Sequence, residues 1–346
     1  AHRHPGGPAY NAEEYQEQKF AAANDEVTVT NMTANRVMAL MSPTMTLLSS
    51  GLTLAVYWIG ACLIEAADMR SRLVIFSDMV VFSNYAMQVI MAFMLLNMIF
   101  ILLPRAQVSA NRICEVLDTQ VNITDGPGAK PAETGTVEFR DVSFRYPGAA
   151  ADSLQHISFT AKRGETVALI GATGCGKTTL INLIPRFYDA SQGKVLVDGV
   201  DVRSYEQEDL RNRIGYVSQK AILFSGTVSS NVAYGDAGRG EITADDVREA
   251  VSIAQAAEFV EKMDGTYGAA IAQSGTNVSG GQKQRLSIAR AVARKPEILI
   301  FDDSFSALDY RTDKALRQAL RERTVDTTKI IVAQRISTIR DADQIL

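Results

Sequence analysis

Gly171-Ala-Thr-Gly-Cys-Gly-Lys-Thr178 follows directly on Glu165-Thr-Val-Ala-Leu-Ile170, and the two stretches are best read together. The first fits G-x-x-x-x-G-K-[ST], and the second is a mostly apolar run suited to a buried central strand. Residues 179–184 behind the loop have a helix-like pattern, so the loop sits between a strand and a helix. That context is what such a loop needs. Gly171, Gly174 and Gly176 let backbone N–H groups wrap a β-phosphate, with Cys175 as a small filler between them. Lys177 neutralises β- and γ-phosphate oxygens, the Thr178 hydroxyl suits Mg²⁺, and Thr179 opens the helix. The expectation is an α/β fold organised around a triphosphate.

A phosphate-bound metal also needs a carboxylate at the end of a neighbouring strand. Ile298-Leu-Ile-Phe-Asp302 supplies one, with Asp302 holding Mg²⁺ through its water shell and Asp303 directed at the attacking water. Thr136-Val-Glu-Phe-Arg-Asp-Val-Ser-Phe144 alternates as an antiparallel strand does. Val278-Ser-Gly-Gly-Gln282 precedes a basic amphipathic run over residues 283–294. Ser279 can cap that helix, and Gly280 and Gly281 expose N–H groups at its positive end, a shape that suits a γ-phosphate. An ordinary Ser-Gly-Gly turn would not explain why this run lies just ahead of the Asp302 strand.

With these residues in place the chain resembles the ATP-binding cassette family, whose signature is matched by residues 278–282 with Val278 where Leu is commonest. The resemblance implies ATP and Mg²⁺ as ligands. It also implies two cassettes that sandwich two ATP molecules, each using its own phosphate loop and the other's Ser279–Gln282 equivalent. It carries over Tyr146 as the aromatic that stacks on adenine, Gln219 as a glutamine that touches Mg²⁺ and senses the membrane domain, and Asp309 in a loop that crosses to the partner. The metal set is then Thr178, Gln219 and Asp302. Two positions depart from the family together: Asp303 stands where the family has Glu, and Gln334 where it has His. Asp is one methylene shorter and Gln carries no positive charge, so with Lys177 in place the expected site binds Mg-ATP and hydrolyses it slowly. This combination is similar to the degenerate half of heterodimeric exporters. A heterodimer with a second half-transporter is therefore expected over a homodimer.

The first third of the chain has a different composition. Ten of the 11 methionines lie in the first hundred residues, and residues 37–64 and 79–104 contain no charged side chain. Each run exceeds the ~20 residues that cross a hydrocarbon core as a helix. Buried helices of a soluble protein would give the same runs, but the short polar stretch between them suits a membrane hairpin. A cassette that meets ATP in the cytoplasm puts both hairpin ends on that side, where Lys19, Arg36, Arg105 and Arg112 outnumber Arg70 and Arg72 of the outer loop. The expected location is the plasma membrane, with lipid around the spans and Tyr57 and Trp58 marking the outer interface.

The expected order is the C-terminal part of a membrane domain (1–118), a Pro/Gly-rich linker (119–135) and an ATP-binding domain (136–346) cut short at its C-terminus. The fold class is thus an α-helical transmembrane hairpin followed by an α/β P-loop NTPase cassette with antiparallel β and α-helical subdomains. The opening Ala-His-Arg-His-Pro-Gly-Gly-Pro reads as the start of a fragment whose upstream part is missing. The whole chain has 346 residues, 47% hydrophobic, with 35 Lys and Arg against 39 Asp and Glu. A net charge of −4 and a pI near 5.6 exclude a general nucleic-acid binder. Three cysteines are too few for a disulfide framework, and Cys62 and Cys114 read as packing residues. The resulting function is an ATP-driven exporter subunit with an unknown substrate. A slow homodimeric exporter, a soluble ATPase of the same class and a non-functional fragment stand as alternatives.

Overall fold

In a computed structural model of the chain, residues 13–131, 133–235, 238, 240–334 and 339–346 are described. They fall into two compact units, Ala1–Gln120 and Val121–Leu346. The segment 1–8, read above as the start of a fragment, lies outside the described residues.

The first unit is two helices, α1 (Glu13–Ala66) and α2 (Arg72–Leu117), both long and apolar enough to cross a membrane. With 54 and 46 residues they run about 81 and 69 Å, more than twice the ~30 Å of a hydrocarbon core. The charge-free stretches are therefore only part of each helix: 37–64 is the C-terminal half of α1, and 79–104 is the middle of α2. The two run antiparallel and touch at Gly60, where an added Cβ would lie 2.2 Å from Met79 Sδ. Further along, the Ser49 hydroxyl donates to Met87 Sδ at 3.1 Å. Pro43 and Pro104 sit inside the helices, as membrane helices tolerate. Most of the apolar surface is exposed, Trp58, Met91 and Phe100 included; only lipid or further helices can cover it. Cys62 and Cys114, expected as packing residues, are exposed as well.

Among its described residues the second unit holds two large sheets and a two-stranded ribbon. A four-stranded antiparallel sheet has the order β2-β1-β4-β5, from β1 (Val137–Phe144), β2 (Leu154–Ala161), β4 (Gln192–Val197) and β5 (Val200–Asp201). A five-stranded parallel sheet has the order β11-β3-β10-β9-β6, from β3 (Thr166–Ile170), β6 (Ile214–Val217), β9 (Ile298–Asp302), β10 (Thr328–Ala333) and β11 (Gln344–Ile345). β10 is its centre and is buried throughout. β3 lies one strand from the edge rather than at the centre, paired with β10 and β11. A two-stranded ribbon, β7 (Gly226–Thr227) with β8 (Ala270–Ile271), belongs to a mainly helical part.

Helices of this unit that lie wholly within the described residues are α3 (Lys177–Asn182), α4 (Gln207–Asn212), α5 (Val228–Val232), α6 (Ala244–Ile253), α7 (Ala257–Val260), α8 (Gly280–Ala293) and α9 (Tyr310–Arg323). One core joins α5, α6, α8 and α9 to one face of the parallel sheet through Val251, Leu286, Phe301 and Leu316. A second lies between the two sheets, around Phe139, Ile181, Ile300 and Val332. The Pro/Gly-rich stretch after Gln120 is held against this unit. Arg186 Nη1 donates to the Thr124 carbonyl at 2.9 Å, Gln207 N donates to Asp125 Oδ1 at 2.9 Å, and Gly126 N donates to the Tyr205 carbonyl at 2.9 Å.

Candidate nucleotide site

The loop 171–178 turns from the end of β3 into α3, and two of its glycines are required by the backbone. Gly174 has φ +86° and Gly176 φ +94°, values that favour glycine, and a Cβ on Gly176 would lie 2.9 Å from Leu154 Cδ2 and 3.0 Å from the Ser153 carbonyl. Lys177 Nζ folds back over the loop, donating to the carbonyls of Gly171 at 2.7 Å and Ala172 at 2.8 Å. The Cys175 thiol lies 3.4 Å from the same nitrogen.

Register in the parallel sheet brings the acidic residues to this loop. Asp302 ends β9 beside β3's other neighbour β10, and its Oδ1 accepts the Thr178 hydroxyl at 2.9 Å. The Asp302 side chain is buried, which pushes its pKa above the usual carboxylate value; the Thr178 hydrogen bond opposes this and the neighbouring Asp303 adds to it. Asp303 follows in a left-handed conformation, φ +45°, which Asp tolerates better than most residues. Its N–H donates to the Val332 carbonyl at 3.1 Å, and the Ser306 hydroxyl donates to its carbonyl at 2.8 Å. Its Oδ2 accepts a hydrogen bond from Gln334 Nε2 at 3.0 Å, so the two positions read above as departures from a family pattern are in direct contact.

A cleft of about 480 Å³ collects Tyr146, Gly174, Cys175, Gly176, Lys177, Thr178, Thr179, Gln219, Asp302, Asp303 and Gln334. Gly171 does not line it; its carbonyl accepts from Lys177, which does. Tyr146 shares a 2.9 Å hydrogen bond between its hydroxyl and that of Thr179. The cleft is also lined by Asp152, Ser153, Thr173 and Val332, which no spacing pattern singled out. Thr178, Gln219 and Asp302 present a hydroxyl, an amide and a carboxylate, an all-oxygen donor set that fits Mg²⁺ completed by phosphates. No cluster of three His, Cys, Asp or Glu side chains suited to a metal occurs among the described residues.

Ser279–Gln282 and Asp309 do not line this cleft. Ser279 is the N-cap of α8: its Oγ accepts Gln282 N at 3.3 Å, and Gln282 Oε1 accepts Ser279 N at 2.9 Å. Asp309 caps α9, accepting Thr312 N at 3.0 Å, and this backbone bond holds its carboxyl below the usual range. The two caps are neighbours, since a Cβ on Gly281 would lie 3.4 Å from the Ala307 carbonyl.

Residues 154–306 match the family described as "ABC transporter", and residues 8–93 match "ABC transporter transmembrane region". The chain belongs to the ABC transporter family. Over 341 residues it is 42% identical to an uncharacterized ABC transporter ATP-binding protein of Mycobacterium tuberculosis, a match that covers 98% of this chain and 57% of that protein. It is 34% identical over 338 residues to the ATP-dependent lipid A-core flippase of Aromatoleum aromaticum, covering 98% of this chain and 55% of the flippase. The ATP-bound structure of a bacterial Atm1-family ABC exporter superposes with a TM-score of 0.84 at 29% identity, over 99% of this chain and 59% of that one. This ABC transporter chain thus spans a little over half the length of these relatives. It joins membrane-domain sequence to an ATP-binding cassette.

Proposed function

We propose that the chain is part of an exporter whose cassette binds and hydrolyses ATP to drive a substrate across the plasma membrane. The observation that carries this is the convergence of Lys177, Thr178, Gln219, Asp302 and Tyr146 on one cleft. In this reading the N–H groups of residues 174–178 and the Lys177 ammonium take the phosphate oxygens, and Tyr146 receives the base on its ring face. Thr178, Gln219 and Asp302 would hold Mg²⁺, which would supply charge neutralisation to the phosphates. The α1–α2 hairpin lies in the membrane with the cassette on the cytoplasmic side.

The cleft is a weak hydrolytic site. A general base must reach the attacking water within hydrogen-bond distance. Asp303 has one carbon less of reach than Glu, and one of its oxygens already accepts from Gln334. Gln334 donates to a γ-phosphate without bringing positive charge. Ser279–Gln282, which cap α8 and do not line this cleft, serve the ATP of a second cassette. A different half-transporter chain with a competent site of its own is the partner that makes use of both features.

Steady-state ATPase activity of the full-length protein in lipid nanodiscs tests this, alone and with the partner half-transporter. Low turnover alone that rises with the partner is expected. The Asp303→Glu, Gln334→His double variant should raise turnover of the isolated protein about tenfold or more, within the usual yield of a positioned base. High turnover of the unmodified protein alone would refute the weak-site reading and make Asp303 a sufficient base.

A further inference from the structure

Tyr188 lines no part of the nucleotide cleft, yet it is packed against the residue assigned to the base. The Tyr146 ring stands nearly perpendicular to two neighbours, Phe144 at 4.8 Å and 81° and Tyr188 at 5.2 Å and 84°, and the outer pair close on each other at 5.5 Å. Phe144 is buried in β1, whereas Tyr188 lies on the surface at 36% exposure. The segment that carries Tyr188 is clamped on both sides. Arg186, itself buried, binds both carboxylate oxygens of Asp189 at 2.8 and 3.2 Å, and Phe187 N donates to the Asn182 carbonyl at the end of α3. The clamp spans residues 186–189, with Tyr188 inside it.

We infer that Tyr188 is a positioning residue for nucleotide-base recognition: it fixes the plane of the Tyr146 ring from which that ring meets the base. This rests on the reading of Tyr146 as the base platform. An edge-to-face pair holds its angle because the ring quadrupoles favour perpendicular rings, and two such neighbours leave the Tyr146 ring one orientation. The Thr179 hydroxyl holds the far end of the same ring at 2.9 Å. Without Tyr188, Phe144 and Thr179 still hold two sides, but the ring can tilt toward the open side. Stacking depends on the ring plane, while phosphate binding depends on residues 171–178, with which Tyr188 shares no hydrogen bond or ring contact. Tyr188 therefore affects the base and leaves the triphosphate alone.

Equilibrium binding of MgATP and of magnesium tripolyphosphate to the full-length protein in nanodiscs separates these effects. Tyr188→Leu is expected to weaken MgATP about three- to tenfold, the range of one aromatic pair, and to leave tripolyphosphate within twofold. Tyr188→Phe, which keeps the ring, should restore MgATP affinity. In a Tyr146→Ala background Tyr188→Leu should cost nothing further. Unchanged MgATP affinity in Tyr188→Leu overturns the proposal, as does equal weakening of both ligands, which marks a general support of the fold. Tyr146→Ala with undiminished MgATP affinity overturns the underlying base-platform reading and takes this proposal with it.

Discussion

Asp198 shows how much a single buried charge depends on residues far away in sequence. Its side chain is 1% exposed. It accepts the Thr136 N–H at 2.9 Å and Arg213 Nη1 at 3.2 Å, and Arg213 is shared with Glu297 at 3.0 Å. Burial pushes the Asp198 carboxyl up to about 6; the Thr136 N–H and the Arg213 charge oppose this, and Glu297 adds to it through a carboxyl–carboxyl hydrogen bond and its like charge. The native state thus keeps a proton that the unfolded chain, at the ordinary value of 3.8, gives up. Stability contributed by this group falls as pH rises from about 4 to about 6, and the full cost is present above that. Asp198→Asn should flatten that part of the stability curve, so urea unfolding at pH 4.5 and 7 should differ less in the variant than in the wild type. An equal pH difference in both would sink the assignment. None of this was legible in the sequence, because positions 136, 198, 213 and 297 share no spacing. The loop 171–178 was legible because a phosphate requires consecutive N–H groups. The Asp303–Gln334 contact falls between these cases: both departures could be read, but their meeting depends on the parallel register that pairs Val332 with Asp302.

At the scale of elements, the membrane helices and the strand flanking the loop were visible as apolar runs, while their extents were not. Absence of charge marks only the part of a helix that lipid can solvate, so 37–64 gives the C-terminal half of α1 and 79–104 the middle of α2; α1 also runs back through Arg36 and Lys19, and α2 on through Arg105 and Arg112. The position of β3 in its sheet is also invisible locally, since a strand one place from the edge still buries its apolar middle when another strand covers its flank. The stretch after Gln120 reads as a separator from its Pro and Gly content, and the structure packs it against α4 and the loop before it. Gly126 makes that packing possible, because a Cβ there would lie 2.4 Å from the Arg203 carbonyl oxygen and 2.5 Å from Ser204 C, both backbone atoms. Gly126→Ala should lift the strap at a cost of roughly 1–3 kcal/mol, as overpacking does. Hydrogen exchange of residues 121–131 should accelerate. Unchanged protection would mean that the side-chain bonds of Asp125 and Arg186 hold the strap without the glycine.

For the whole molecule, the proposed function gives one chain two half-sites at separate places. The cleft holds the loop and the two carboxylates, while the Ser279 cap sits apart beside the Asp309 cap. If the proposed partner supplies the competent site, this chain's contribution to turnover is its cap and not its loop. Gly280 allows that to be tested without damage to the fold. Nothing lies within 4 Å of a Cβ placed there, its φ is not in the left-handed region, and an acidic residue in the first turn suits the helix dipole. Gly280→Asp in this chain should therefore leave thermal stability unchanged and reduce ATPase activity of the two-chain assembly at least tenfold, because a carboxylate would stand where the partner's γ-phosphate approaches. Lys177→Ala in this chain should leave most of that activity, since the site it impairs contributes little. The reverse pattern, loss with Lys177→Ala and tolerance of Gly280→Asp, would place hydrolysis in this chain's own cleft. It would remove the reason for a dissimilar partner.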